Sequence, residues 1–380
     1  TPDSGRRSGL RRAASRRCYG GKMDVENRET GRNTEVDLLR VVFAIAVLIH
    51  HSHGLNPPDI TNYPFVGGYI AVEFFFLLTG YFAAKEIMET SVPAPLMGAQ
   101  AMKLTLSKFS RIFPFVIPAV FIHYITVSLL NNSGGFETVK SLTYGIFEAA
   151  LLPASGIYES FMVLPLWYLS ALLILLPLFY YLLMKAPSFF PYVAAPLSAL
   201  MIYGYFSVSV GHIDVWHAWH GIYDSLPRCW AGLCMGTVAF ISVRKVRAWR
   251  LCHRITAVWC ILEIFCFGSV LFYAWGRTHR RLDFLCIFLL FAGVCALLAH
   301  DTVIPVSAPV GRILADFSLA LYVTHWTVRM IVPCKMNGSS YLEMLPPYLL
   351  VSLLYAAALL LLVCSGRRII RIDRHRLNQR

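Results

Sequence analysis

Charge is scarce in this 380-residue chain: 14% of its residues are Asp, Glu, Lys or Arg, against 57% hydrophobic, with a mean hydropathy of +0.58. A soluble domain needs more polar surface than this to cover its core, so the natural solvent is a bilayer. Acids are scarcer than bases, and the formal net charge is +13. The bases are scattered between apolar runs rather than gathered into one polar module, which excludes a nucleic-acid partner. The ten cysteines lack both paired metal spacing and an external disulfide framework. Seven of them, Cys229, Cys234, Cys260, Cys266, Cys286, Cys295 and Cys364, fall in apolar runs, where a thiol serves as a small apolar side chain. No resident metal is expected. Internal repeats are lacking too. The first 22 residues are Arg- and Ser-rich without an apolar core, so they are no secretory signal. They read as a translated leader, with Met23 as the expected start.

What is abundant is long apolar runs. They lie near 36–54, 65–84, 112–131, 164–184, 188–210, 225–243, 255–275, 282–300, 312–333 and 345–365, each reaching or approaching the length of a membrane crossing. The expected fold is therefore all-α, a polytopic bundle of about ten transmembrane helices. The links 85–111 and 132–163 read as loops. From Met23 onward, Lys and Arg on the side carrying both termini outnumber those on the other side by about three to one, which places both termini in the cytoplasm. In that count Arg228 belongs to the outer side. The cluster Arg277, Arg280 and Arg281 violates the rule. Residues 23–35 then form a cytoplasmic segment, 36–365 the transmembrane domain and 366–380 a basic cytoplasmic tail.

Ionised groups are costly in hydrocarbon, so those inside spans usually face a bundle interior and mark function. In the first run, Asp37, Arg40 and His51 are separated by 3 and 11 residues and share one helical face. His50 points elsewhere. The longer gap is roughly 16 Å of rise, so Arg40 lies near the cytoplasmic end and His51 towards the outer end. Glu73 in the second run lies at a matching depth. A carboxylate paired with His51 would fix its tautomer and stabilise its cation, the requirement for a general base. The alternative for Glu73 is a buried structural hydrogen bond.

VDLLRVVFAIAVLIHH carries an Arg, ten residues, His signature as Arg40 and His51, and GGYIAVEFFFLLTGYF, KFSRIFP, PLWYLSALL and SLALYVTHW follow in order. Over about residues 34–333 this resembles the acyltransferase-3 family of integral membrane O-acyltransferases, which acylate carbohydrates at the cell envelope. Thr79 stands where Ser is usual, and Lys108 where an Arg usually opens the basic pair. No hydrolase-like domain follows the last run, so the chain resembles a stand-alone transmembrane member. The resemblance implies a bacterial cytoplasmic-membrane enzyme that moves an acyl group, expected to be acetyl, from cytoplasmic acyl-CoA to a glycan hydroxyl. Its expected catalytic set is His51, Glu73, Arg40 and Asp37, with Arg40, Lys108 and Arg111 holding the donor's phosphates. His51 either deprotonates the acceptor or carries the acyl group briefly.

Three further features stay open between function and structure. Ser318, Tyr322, His325 and Arg329 form a polar stripe on the ninth run, facing either a substrate cavity or a neighbouring helix. Tyr322 and His325 are candidate acceptor contacts, and so is Trp167 unless it is an interfacial anchor. The segment 211–224, rich in His and Trp, is either a sugar-binding outer loop or a solvated amphipathic stretch. Gly232 and Gly236 have the spacing of helix packing. The competing function is a glycan transporter or flippase, which buried charge would serve equally well, although the broken repeats of such proteins are missing.

Overall fold

The computed structural model describes residues 32–377 apart from 56–62, 91, 158–161, 216–217, 220–221, 250–254, 277–279 and 305; side chains are described except at 216–222 and from 369 onward. The leader 1–22 and Arg277 lie outside the described residues. Among the described residues eleven helices make the bundle: α1 (Thr34–His50), α2 (Ala71–Met88), α3 (Met97–Leu130), α4 (Gly135–Ala149), α5 (Trp167–Lys185), α6 (Ala195–Ser209), α7 (Ser225–Arg247), α8 (Thr256–Gly276), α9 (Leu282–Ala299), α10 (Ala308–Lys335) and α11 (Tyr341–Leu377). A two-residue hairpin, Ala218–Trp219 with Ile222–Tyr223, precedes α7. Among the described residues, eight helical stretches are long and apolar enough to cross a membrane. This is a polytopic helical membrane protein.

The two long helices outside that set, α2 and α10, are the ones that carry Glu73 and the stripe Ser318, Tyr322, His325. Both are wrapped by neighbours: α2 packs on α1, α5 and α7, and α10 on α1, α3 and α11. Polar side chains lower their hydropathy, and burial inside protein makes those side chains tolerable.

Water exclusion gives helices little drive to associate within lipid, so close packing must hold them. The α2–α7 contact shows how. A Cβ added at Gly80 would meet the Leu233 carbonyl oxygen at 2.1 Å, and one at Gly236 would meet the Leu77 oxygen at 2.1 Å. Gly232 lies against the Phe76 side chain. Gly232 and Gly236 therefore serve packing, as their spacing suggests.

Two expectations need correction. Residues 85–111 are not a loop, because α3 already begins at Met97 and continues through Pro114 and Pro118. The link 132–163 contains α4, a helix too short to span that exposes Phe136, Val139 and Ile146 and buries Glu148. The segment 366–380 is helical as far as Leu377, continuing α11.

Asn33 caps α1 by accepting from the backbone N–H groups of Glu35 and Val36. Beside it, Arg32 donates to the Gly311 carbonyl at 3.2 Å, and Arg367 of α11 pairs with Asp316 of α10 at 2.8 Å. The start of α1 and the far part of α11 thus share one end of the bundle. At the opposite end His50 bonds the Phe65 carbonyl and Ser52 bonds Tyr341.

Candidate active site

The site extends between these two ends. At the first, Asp37 is buried and accepts from Arg32 Nε at 2.7 Å and Arg40 Nη1 at 3.0 Å. The i, i+3 spacing on α1 places Arg40 beside Asp37, which aims the guanidinium. Arg40 lines a cavity of about 470 Å³ together with Lys108 and Arg111 of α3, Arg32, Arg312 and Arg367. The acids on its wall are Glu86 and Asp316. Six cations against two carboxylates make it an anion-attracting chamber. Thr79, Tyr168, Ser318 and Tyr322 form other parts of the wall. A second cavity of about 590 Å³ shares Arg32 and is lined by Lys85, Arg244 and Arg247, but includes none of the α10 stripe.

Tyr322 links the chamber to the second half of the site. Its hydroxyl donates to the Pro165 carbonyl, and the indole N–H of Trp326 donates to the Met162 carbonyl at 2.7 Å. One turn beyond Tyr322 stands His325. Its Nε2 is 3.0 Å from His51 Nδ1, and the two rings stack with centroids 5.0 Å apart. Trp326 meets His51 edge-on at 5.3 Å.

This geometry determines the tautomers of the neutral pair. His325 Nδ1 faces the Leu321 carbonyl at 3.1 Å, and a carbonyl oxygen only accepts. Nδ1 of His325 therefore carries the hydrogen and Nε2 the lone pair. His51 must then donate from Nδ1, which leaves the lone pair of His51 on Nε2. That lone pair suits a general base. His50 faces Phe65, as its different helical face predicted.

The expected pairing of His51 with Glu73 is not present. Glu73 is 2.7 Å from Arg228 Nε and accepts from the Tyr203 hydroxyl at 2.8 Å, and it is 1% exposed. Arg228, placed among outer-loop charges by the sequence count, is fully buried and also donates to the Tyr69 and Val215 carbonyls. The ion pair wins because a buried guanidinium needs a charged partner, while His51 already has His325. Sequence reasoning missed Arg228 and Tyr203. The available signal was a lone Arg four positions into an apolar run.

Trp167 does not line the chamber. It lies against the Arg228 guanidinium, 5.1 Å from ring centroid to Cζ, and the adjacent Tyr168 takes the wall position instead. The α10 stripe is divided: Ser318 and Tyr322 face the chamber, His325 meets His51, and Arg329 lies beyond it. Among the described residues, no group of three His, Cys, Asp or Glu side chains is placed to hold a metal. Arg280 and Arg281 are exposed at the start of α9, away from the chamber.

No curated protein and no solved structure matches the chain significantly. A family model described as an acyltransferase domain matches residues 33–366, nearly the whole chain, including both halves of the site. The chain belongs to the acyltransferase-3 family and is a membrane acyltransferase.

Proposed function

We propose that the protein transfers an acetyl group from cytoplasmic acetyl-CoA to a hydroxyl of an envelope carbohydrate, in the cytoplasmic membrane of a bacterium. One observation carries this reading: a cationic chamber at one end of the bundle leads to Tyr322, one turn from the His325–His51 pair. Arg40, Lys108 and Arg111 hold the donor's phosphates. An arginine fork binds a phosphate through two hydrogen bonds, so the two arginines contribute more than Lys108. Asp37 positions Arg40. The thioester lies deeper, past Tyr322.

His51 Nε2 takes the proton of the acceptor hydroxyl as that oxygen attacks the thioester carbonyl. The imidazolium then has Nδ1–H directed at His325 Nε2, which shares the charge. His325 is thus a positioning residue, and Glu73 with Arg228 is scaffold. The proton taken by His51 passes to the departing CoA sulfur, so CoA leaves as a thiol, His51 returns to its neutral form and the ester remains on the glycan.

The test uses purified protein in nanodiscs, acetyl-CoA and a glycan extract from cells lacking the gene. His51→Ala is expected to abolish acetyl transfer while CoA binding, measured by calorimetry, persists. Arg111→Lys and Arg40→Lys are expected to weaken CoA binding by about tenfold. Full turnover by His51→Ala rejects the base assignment. Unchanged CoA affinity in both arginine variants rejects the phosphate site.

A further inference from the structure

One cation near the His51–His325 pair has no role in the steps above. Arg329 lies one turn beyond His325 on α10, its Cζ 4.2 Å above the Trp326 ring whose edge meets His51. It packs so tightly over Gly54 that a Cβ there would fall 1.6 Å from Arg329 Nε. That Nε is buried without a hydrogen-bond partner, and no carboxylate pairs with Arg329 among the described residues. Its surroundings also include the phenols Tyr63 and Tyr348 and the imidazole of His53. The Asp214 carboxylate acts on the same Tyr63 and His53 without forming an ion pair with Arg329 among the described residues. A half-buried guanidinium held over an aromatic plane, beside the reacting imidazole and with no paired carboxylate among the described residues, is an incomplete ion pair.

We propose that Arg329 recognises an acidic group, carboxylate or phosphate, on the acceptor, so that this enzyme acylates an anionic glycan rather than a neutral one. This rests on the acetyl-transfer reading. Trp326 fixes the plane of the guanidinium and Gly54 leaves room for it. The fork faces an acceptor whose hydroxyl reaches His51. A planar pair with two hydrogen bonds then sets which hydroxyl is presented. The position distinguishes Arg329 from the cations of the donor chamber, which belong to the opposite end of α10.

The experiment measures CoA release by the full-length protein in nanodiscs. Acceptors are glycan fragments from a deletion strain, separated by anion exchange into acidic and neutral fractions. The acidic fraction is expected to drive turnover, and carboxyl reduction or phosphatase treatment of that fraction should abolish it. Whichever treatment acts identifies the acidic group. Arg329→Gln should raise KM for the acidic fraction about ten- to hundredfold with kcat little changed, and Arg329→Lys should fall between.

Equal turnover with the neutral fraction, or an acidic fraction unaffected by both treatments, overturns the proposal. An Arg329→Gln variant that loses kcat alike with every acceptor also overturns it and assigns the guanidinium to the reacting carbonyl. Failure of every fraction, the unseparated extract included, rejects the acetyl-transfer reading and the Arg329 assignment with it.

Discussion

The hydrogen on His325 Nδ1 faces a main-chain oxygen, so the neutral ring cannot turn over without losing that bond. Replacing His325 with Ala should cost about 10²- to 10³-fold in kcat with little change in the KM for acetyl-CoA, because His51 loses the acceptor that orients its ring. A Gln at 325, whose side-chain oxygen can accept from His51, should restore part of the rate. Unaltered kcat and an unaltered pH–rate profile in His325→Ala would show the contact to be packing alone. Glu73 behaves differently. Glu73→Gln leaves Arg228 buried without its charge partner and should destabilise the fold by about 3–5 kcal/mol, read as a lower unfolding temperature rather than a selective loss of kcat. Arg40, His51 and His325 were legible in the sequence from their place on one face of an apolar run, whereas Arg228, a lone Arg in its run, was assigned to an outer loop and missed. The partner of His51 was not legible. Depth along a helix gave Glu73 and His51 the same level, but the rotation of α2 against α1 depends on how Gly80 docks beside Gly232 and Gly236 of α7, a rotation that spacing along one helix does not encode.

Among helices, the glycine seam between α2 and α7 is the most exacting contact. Gly236→Leu should force the two backbones apart and disrupt the Arg228–Glu73 pair, lowering yield of folded protein in mild detergent; Gly98→Leu, where nothing lies within 4 Å of an added Cβ, is its control. A comparable yield for both variants would remove the seam from the account of assembly. The connection after α9 is held by charge. Glu35 accepts from the N–H groups of Val303 and Ile304, and the Glu263 carboxylate, 3.5 Å from His300 Nε2, raises the His300 pKa above its ordinary 6.5. A raised pKa means that the folded state binds the proton more tightly. The stabilisation is complete below pH 6.5 and fades as pH climbs through the raised value. His300→Gln should flatten this slope in thermal unfolding between acidic and alkaline buffer; an unchanged slope would assign it elsewhere. Periodicity made the long helices legible, but α4 escaped notice because Gly, Ser and Thr around it read as loop.

Across the whole molecule, the cations of α1, α3, α7 and α11 converge on one end. If that end is cytoplasmic, a Cys at exposed Ser133, beyond α3, should react with an impermeant thiol reagent in intact cells lacking other cysteines. One at exposed Ala248 should react only after permeabilisation. The reverse labelling would remove CoA from the cationic chamber. The membrane-crossing helices were nearly legible from apolar runs, because lipid imposes a length on every span. The chamber was legible only in part: the family resemblance grouped Arg40, Lys108 and Arg111, but Arg32, Arg312 and Arg367 come from segments whose convergence no sequence spacing encodes.

The Tyr322–Pro165 and Trp326–Met162 bonds form a cross-brace between α10 and the segment before α5, where the chamber ends. A membrane protein with a deep polar vestibule risks short-circuiting the ion gradients of the membrane that houses it, and this brace is expected to serve as its electrical insulation. Tyr322→Ala combined with Trp326→Ala should therefore let protons through proteoliposomes under an imposed potential, detected by an internal pH dye, while the intact protein holds the gradient. Equal tightness of the two preparations would locate the seal elsewhere.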